Sequence, residues 1–409
     1  MSSLSTYVVT FNCGRELIKP AVFATHLFDV ASSPPDLVVL CLQEIAPIGY
    51  AFLARSLLSP YYNAFRDAVK LADGAYVDVV AENVGLTAIM VFARAEIASN
   101  IKSLQTAGVG VGFAETGNKG AVGVRLGYDV GDDLMLLTFV SAHLSPFEGG
   151  LARRNLDYQH IVQRLVFTDH SRRAGDTQGE DQPLLKAGGE ADNTTAGLYL
   201  PSSHLVFAGD LNYRTSLLPP SPADWNSYPQ PTQDRSDPTH FSHLLLDDQL
   251  TLELKSNRTL QHLVEEPINF APTYKLRPRQ DVTLDSDQAW NWALHRWPSW
   301  CDRILRSPSK IKSLAYNSLP LFGSSDHRPV ALSIAIPLKA VDNAYPDFAA
   351  PYEIDPTWKA RRQAARTREV AVGTLAYLTW TYQGNAVLLA TVIACTSAWL
   401  IFRALVLLP

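Results

Sequence analysis

The chain is poor in cysteine, methionine and charge. Its 409 residues include 4 Cys and 3 Met, and charged residues make up only 18%. The cysteines, Cys13, Cys41, Cys301 and Cys395, are too few and too scattered for a disulfide framework, and no CxxC or Cys/His spacing suggests zinc. A reducing compartment fits that usage. An excess of positive charge is missing too: 35 Lys and Arg stand against 40 Asp and Glu, for a net charge of -5. With a pI of about 6.1, the chain lacks the global basic field of a duplex-coating protein, so nucleic acid is not the expected partner. Any anion must be bound by a local basic patch. There is no internal repeat. The opening MSSLSTYVVTFN has neither the basic nor the apolar region of a signal peptide, and none is expected.

Apolar residues are abundant. Hydrophobic residues reach 47% and aromatics 10%, including 8 Trp and 16 Tyr, which excludes a disordered chain and suits a large core. The length allows two or three domains of roughly 150 residues, or one large α/β unit. Short β-branched runs at 7–11 (YVVTF), 37–42 (LVVLCL), 88–92 (AIMVF), 121–126 (AVGVRL), 134–142 (LMLLTFVSA), 204–208 (HLVFA) and 330–336 (VALSIAI) predict strands. Residues 151–169 predict a helix with Leu151, Tyr158, Ile161, Val162 and Leu165 on one stripe, leaving Arg153, Arg154 and Arg164 for other faces. This mixture predicts a layered α/β domain. Residues 171–200, polar and rich in Gly and Ala, read as a surface insertion. Residues 219–238, which hold six prolines, read as irregular.

Polar residues recur where the predicted strands end. Asn12 follows YVVTF, Glu44 follows LVVLCLQ, His143 follows TFVSA, and Asp210 and Asn212 follow HLVFAG; Asp326 and His327 precede VALSIAI. Layered α/β proteins place their sites at strand ends. Any one of these residues alone would read as a cap or turn former, but five coincidences of the same kind point to a site. The set offers carboxylates, carboxamides and imidazoles, and no Ser or Cys nucleophile flanked by a partner. Oxygen-rich ligation suits a hard cation such as Mg2+, with Glu44 as the leading ligand candidate and Asn12 nearby. Such a metal polarises a phosphoryl oxygen. Asn212 and the two histidines can donate to the other phosphoryl oxygens, Asp210 can orient a water for in-line attack, and Asp326 can fix a histidine tautomer, that of His143. Phosphoryl transfer needs this positioning and electrostatic stabilisation more than covalent help.

The blocks FNCGRE (11–16), LQEI (42–45), NKGAVGVR (118–125), SAHL (141–144), GDLNYR (209–214), APTYK (271–275), PSWCDRIL (298–305) and SDHRPV (325–330) resemble, in order, those of the inositol polyphosphate 5-phosphatase family. The resemblance spans about residues 5–338. It implies the DNase I-like (endonuclease/exonuclease/phosphatase) fold, two packed β-sheets flanked by helices, and Mg2+-dependent removal of an inositol 5-phosphate. By the same resemblance Glu44 ligates Mg2+ with Asn12 beside it, and Asp210 activates the water. Asn212 and His327 hold the scissile phosphate, and His143 contacts it and pairs with Asp326. Tyr274, Lys275 and Arg296 are implied to grip the ring 4-phosphate. One departure is Leu294, where many relatives carry a lysine. The alternatives within enzymes are a soluble inositol polyphosphate phosphatase and a phosphodiesterase of the same fold. A third class is an idle binding module.

Residues 373–409 contain one formal charge, Arg403, and 386–402 (AVLLATVIACTSAWLIF) are almost wholly apolar. A bilayer-spanning helix needs about 20 such residues. A buried core helix is the alternative. The preceding basic run, Lys359, Arg361, Arg362, Arg366 and Arg368, favours an anchor with the larger part on the cytosolic side. The expected layout is a catalytic domain over 1–340, a linker with a basic flank over 341–371, and an anchor over 372–409. This is similar to fungal tail-anchored phosphatidylinositol 4,5-bisphosphate 5-phosphatases. The expected setting is a monomer on the endoplasmic reticulum membrane, acting on a phosphoinositide lipid.

Overall fold

Strands whose two faces are both covered read as near-continuous apolar runs, and each run named above is a strand in the computed structural model. The structure describes residues 3–131, 133–170, 196–277, 290–308, 310–341 and 348–407. In chain order the strands are β1 (Ser3–Asn12), β2 (Leu37–Gln43), β3 (Tyr76–Val84), β4 (Thr87–Arg94), β5 (Ile101–Gly110), β6 (Gly120–Asp129) and β7 (Leu134–His143), followed by β8 (Thr168–Asp169), β9 (Ser203–Asp210), β10 (Val264–Glu265), β11 (Asp302–Arg306), β12 (Lys312–Ser318) and β13 (Val330–Pro337). They form two sheets, ordered β12-β13-β1-β2-β4-β3 and β10-β11-β9-β7-β6-β5-β8.

Side chains alternate across a strand, so each sheet supplies two apolar faces. In the first sheet Val8, Val39, Cys41 and Val91 face inward, where they meet Val124, Leu137, Phe139 and Val206 of the second sheet. Tyr7, Val9, Phe11, Leu40 and Leu42 face outward, under Phe65 and Val69 of the helix Arg55–Ala72. The outer face of the second sheet (Val140, Ala142, Leu205, Phe207) lies under Tyr158, Ile161 and Val162 of the helix Leu151–Arg164. The result is a sandwich of helix, sheet, sheet and helix.

The helix expected over 151–169 stops at Arg164. Arg154, expected on an outer face, is fully buried. It donates to Phe147 O at 2.7 Å and to Gln249 Oε1 at 2.6 Å. Of the expected 171–200 insertion, residues 171–195 lie outside the described residues, as do 342–347 of the expected linker. Residues 219–238 contain one short 3-10 helix, Pro222–Ser227. Strands β3, β5, β8, β10, β11 and β12 were not foreseen. β12 (KSLAYNS) is polar and half-exposed at a sheet edge, so it has no apolar alternation to read.

Beyond the sandwich, Phe348 is buried and Tyr352 packs against the outer core of the second sheet. A helix at Trp358–Trp380 then lies on the sandwich, and Tyr382–Leu407 forms a further helix. Tyr382–Val406 is the one described helix long and apolar enough to cross a membrane, and Gly384 is its one buried residue. A core helix would be covered. The basic run does not stand free as a flank. Arg361 pairs with Glu115 at 2.6 Å, Arg366 donates to Phe52 O and Leu53 O at 2.7 and 2.6 Å, and Arg368 donates to Ala114 O at 2.8 Å.

Candidate active site

Strand direction brings the site residues together. β1 and β2 run parallel, so Asn12 and Gln43 end side by side, and Glu44 comes next in the chain. β13 is antiparallel to β1, which puts its entry, and therefore Asp326 and His327, at that same end. The second sheet repeats the device: β7 is parallel to β9 with His143 opposite Asp210, and β11 is antiparallel to β9 with Asp302 opposite Asp210. Stacking of the sheets joins the two sets, and Asn12 Nδ2 donates to Asp210 Oδ2 across them at 2.9 Å. Glu44 and Asn212 adopt left-handed backbone angles, φ +46° and +58°. Residues in such conformations persist where surrounding contacts hold them, and they cluster at functional sites.

Asp210 is the hub. Its Oδ2 lies 3.2 Å from His143 Nε2 and 3.9 Å from His327 Nε2, and its Oδ1 accepts from the Asn212 amide at 3.1 Å. Burial works against its charge, but His143 and His327 outweigh that and hold the carboxyl well below the usual range. The two histidines are driven apart. Burial and the neighbouring Lys119 ammonium push His143 below its ordinary value despite Asp210. For His327, burial is outweighed by the carboxylates of Asp302 and Asp210, which lift it to about 9. Environments that separate two like groups in this way mark acid–base assignments.

The expected pairing of His143 with Asp326 is corrected by the geometry. The carboxylate beside His143 is Asp210, and Asp326 instead pairs with the Lys275 ammonium. The carboxylate that orients a histidine is Asp302, fully buried, with Oδ2 2.9 Å from His327 Nδ1 and accepting from Thr273 Oγ1 at 2.6 Å. Sequence reasoning missed Asp302, although it lies within PSWCDRIL, because its strand β11 is short and was not read from the sequence, so no apolar run marked its position. Lys119 was missed as well. Its ammonium contacts His143 and lies 3.7 Å from Glu44 Oε1, and Arg15 Nε donates to Glu44 Oε2 at 2.9 Å. Asn212 is held by its surroundings: Nδ2 donates to Leu144 O at 3.1 Å, and Oδ1 accepts from Arg214 Nη2 at 2.5 Å.

At the rim, the Tyr274 ring lies 4.5 Å from that of His327, with the Arg214 guanidinium 4.4 Å over its own centroid. Lys275 follows Tyr274 in the chain. Arg296 is near enough to act on the charge of Lys275, and it lies 3.4 Å from Glu148 and 5.0 Å over the Phe147 ring. Leu294 packs against a small cluster containing Trp292 and Tyr228.

Asp210, Asp302 and His327 present possible ligand atoms within 4.8 Å of one another. Asp302 Oδ1 is buried without a hydrogen-bond partner among the described residues. Glu44 is the more accessible carboxylate, its side chain 21% exposed against 2% for Asp210. These oxygen donors suit a hard cation.

The endonuclease/exonuclease/phosphatase family 2 matches residues 9–333. The chain belongs to this family. Similar proteins include the polyphosphatidylinositol phosphatase INP53 of Saccharomyces cerevisiae, 28% identical over 84% of this chain and 27% of that protein. Another is the phosphatidylinositol 3,4,5-trisphosphate 5-phosphatase 1 of Mus musculus, 32% identical over 59% of this chain and 18% of that one. The chain thus spans less than a third of the length of these curated relatives. The inositol polyphosphate 5-phosphatase domain of a synaptojanin, solved with inositol (1,4)-bisphosphate and calcium, superposes with a TM-score of 0.62 at 23% identity, covering 90% of this chain and 93% of that one. A Cimex nitrophorin shares the fold at TM-score 0.53 and 19% identity, covering 82% of this chain and 99% of its own. At these identities the solved structures establish the fold, and the chemistry has to be argued from the residues in the cleft.

Proposed function

We propose that the chain is a Mg2+-dependent phosphoinositide 5-phosphatase, acting on phosphatidylinositol 4,5-bisphosphate to leave phosphatidylinositol 4-phosphate. The observation that carries this reading is the convergence of Asp210, His143, His327 and Asn12 at one end of both sheets, with the cationic groups of Lys275 and Arg296 at the rim. The names of the curated relatives support the substrate class.

Water attacks phosphorus in line as the bond to the inositol oxygen breaks, giving inorganic phosphate, and the departing inositol oxygen takes up a proton in place of the one the water gives up, so that it leaves as a hydroxyl. Asp210, held ionised, orients that water and accepts its proton as the new bond to phosphorus forms. His327, held protonated by Asp302, faces the phosphoryl oxygens as a fixed positive charge, and Asn212 offers its remaining amide N–H. His143, driven toward the neutral form, completes the contact. Fixed groups of this kind need no reorganisation as charge develops. Glu44, with Asn12 beside it, would hold the divalent cation, which neutralises charge on the phosphoryl group when bound. Tyr274, Lys275 and Arg296 grip the 4-phosphate, and this set separates an inositide from a nucleic-acid substrate.

The apolar helix supports a membrane setting, and we infer a monomer with the sandwich in the cytosol and the endoplasmic reticulum as the compartment. Tethering favours a lipid substrate because the site and headgroup are confined together. The test is phosphate release from phosphatidylinositol 4,5-bisphosphate against a DNA substrate, with and without Mg2+. Release from the lipid alone, dependent on Mg2+ and abolished by Asp210→Ala, is expected. Cleavage of DNA, or an Asp210→Ala rate close to wild type, refutes the reading.

A further inference from the structure

The helix Trp358–Trp380 carries one acidic residue, Glu369, and it is fully buried. Its Oε1 accepts from the Gly117 amide at 2.9 Å and from Arg362 Nη1 at 2.7 Å, and Arg366 Nη1 lies 3.4 Å from Oε2. A buried carboxylate requires such partners. Holding the helix on the sandwich does not require this charge. Arg361, Arg366 and Arg368 already bind Glu115 and the backbone carbonyls of Phe52, Leu53 and Ala114. Close packing adds to them: a Cβ on Gly373 would meet Phe52 Cβ at 2.7 Å, and one on Gly49 would meet Tyr377 N at 2.9 Å.

What Glu369 reaches is a turn next to the cleft. Gly117 O accepts from Leu86 N at 2.9 Å, and Leu86 O accepts from Ile45 N at 3.2 Å. The two turns meet backbone to backbone, since a Cβ on Gly117 would come within 2.8 Å of Gly85 N. Ile45 follows Glu44, and Gly117 lies two residues before Lys119. The hydrogen bond from Gly117 to Glu369 therefore starts a series of backbone contacts that ends beside both groups. Glu44 keeps its left-handed φ of +46° in this frame. The same helix leads through Thr381 into Tyr382–Leu407, and Tyr50 OH donates to Gln383 across that junction at 3.3 Å.

We propose that Glu369 is a positioning residue for the reaction: through Gly117 and Leu86 it holds the backbone that carries Lys119 and Glu44, so the docked helix sets the geometry of the cleft. The inference rests on the phosphatase reading of that cleft.

The test uses the full chain in detergent micelles and compares wild type, Glu369→Ala and Glu369→Gln. Readouts are kcat and KM on soluble inositol 1,4,5-trisphosphate, the Mg2+ titration, and amide exchange at Gly117, Leu86 and Ile45. Glu369→Ala should lower kcat by about tenfold or more with KM little changed, since small misplacements are costly in catalysis. It should also raise the Mg2+ requirement and speed exchange at Gly117 by roughly ten- to a hundredfold. Glu369→Gln keeps an acceptor for Gly117, so it should retain kcat and slow exchange while its Tm falls, because two arginines lose their counter-charge. A full kcat in Glu369→Ala, or an equal loss of kcat in both variants, overturns the proposal. If Glu369→Ala does not fold, the Gln variant decides: a kcat loss with Gly117 still protected overturns it. An inactive wild type would sink the phosphatase reading alone, and unchanged Gly117 exchange in Glu369→Ala would still sink this one.

Discussion

Lys275→Ala should abolish the preference for a ring 4-phosphate, and by more than one lost contact. Burial works against the Lys275 charge, but Asp326 outweighs it and raises the pKa of the amine. Both side chains of the pair keep about a quarter of their exposure, 26% for Lys275 and 24% for Asp326. Removing the ammonium therefore does two things. It deletes a charge-assisted contact worth roughly 1.5–3 kcal/mol. It also leaves the Asp326 carboxylate without its ammonium partner and with only His327, 3.9 Å away, to offset its charge, a repulsion toward the phosphate of about 1 kcal/mol at a partly exposed site. The sum, about 2.5–4 kcal/mol, corresponds to roughly sixty- to seven-hundredfold. The assay is the ratio of kcat/KM for inositol 1,4,5-trisphosphate to that for the 1,5-bisphosphate, which differ only in the 4-phosphate. That ratio should collapse in Lys275→Ala, and adding Asp326→Asn should recover about fivefold of it, the repulsive share. Equal losses on both substrates would refute the reasoning, as would a ratio in the double variant no better than in Lys275→Ala.

Other outcomes follow from the same geometry. Asp302→Asn should leave the far-ultraviolet circular dichroism unchanged and cut kcat by about a hundredfold or more, because His327 loses the carboxylate that holds it protonated and aligned; a rate near wild type would remove Asp302 from the site. Glu44→Gln should shift the Mg2+ titration to higher concentration, and an unchanged titration would exclude Glu44 from the metal shell. Ending the chain after Thr381 should yield a folded, active protein free of detergent, because Gly384, against Tyr377 and Leu378 of the preceding helix, is the one buried residue of Tyr382–Val406. Ending it after Val370 should lower the Tm, since Gly373 and Ala376 then no longer pack on the sandwich; equal stability of the two truncations would show that this packing contributes nothing.

Much of the architecture was legible because both faces of each sheet are covered. Strands β1, β2, β4, β6, β7, β9 and β13 are long apolar runs, and a run of that kind needs no partner to be read. Edge strand β12 and the two-residue β8 and β10 were not legible, since they owe their conformation to a neighbour. Asn12, Glu44, His143, Asp210, Asn212, Asp326 and His327 stood out because each flanks a long apolar run. Asp302 did not, because β11 is a five-residue strand with no long apolar run to mark it, and its place is known only once it is laid beside β9.

The tail separates the two kinds of information further. The apolar content of 386–402 is a property of the residues themselves and was plain from them. The same residues say nothing about where the basic run before it turns. Arg361, Arg366 and Arg368 read as a flank to an anchor, and only the packed structure places them on Glu115 and on backbone carbonyls of the sandwich. Composition and periodicity thus determined the layers, the strand ends that carry chemistry, and the apolar helix, because local burial dictates each of them. Partner choice was settled by tertiary structure alone: Asp302 with His327, Asp326 with Lys275, and Glu369 with Gly117. A charge pairs with whatever the fold brings within about 3–4 Å, and separations of 25 to 252 residues leave no local trace.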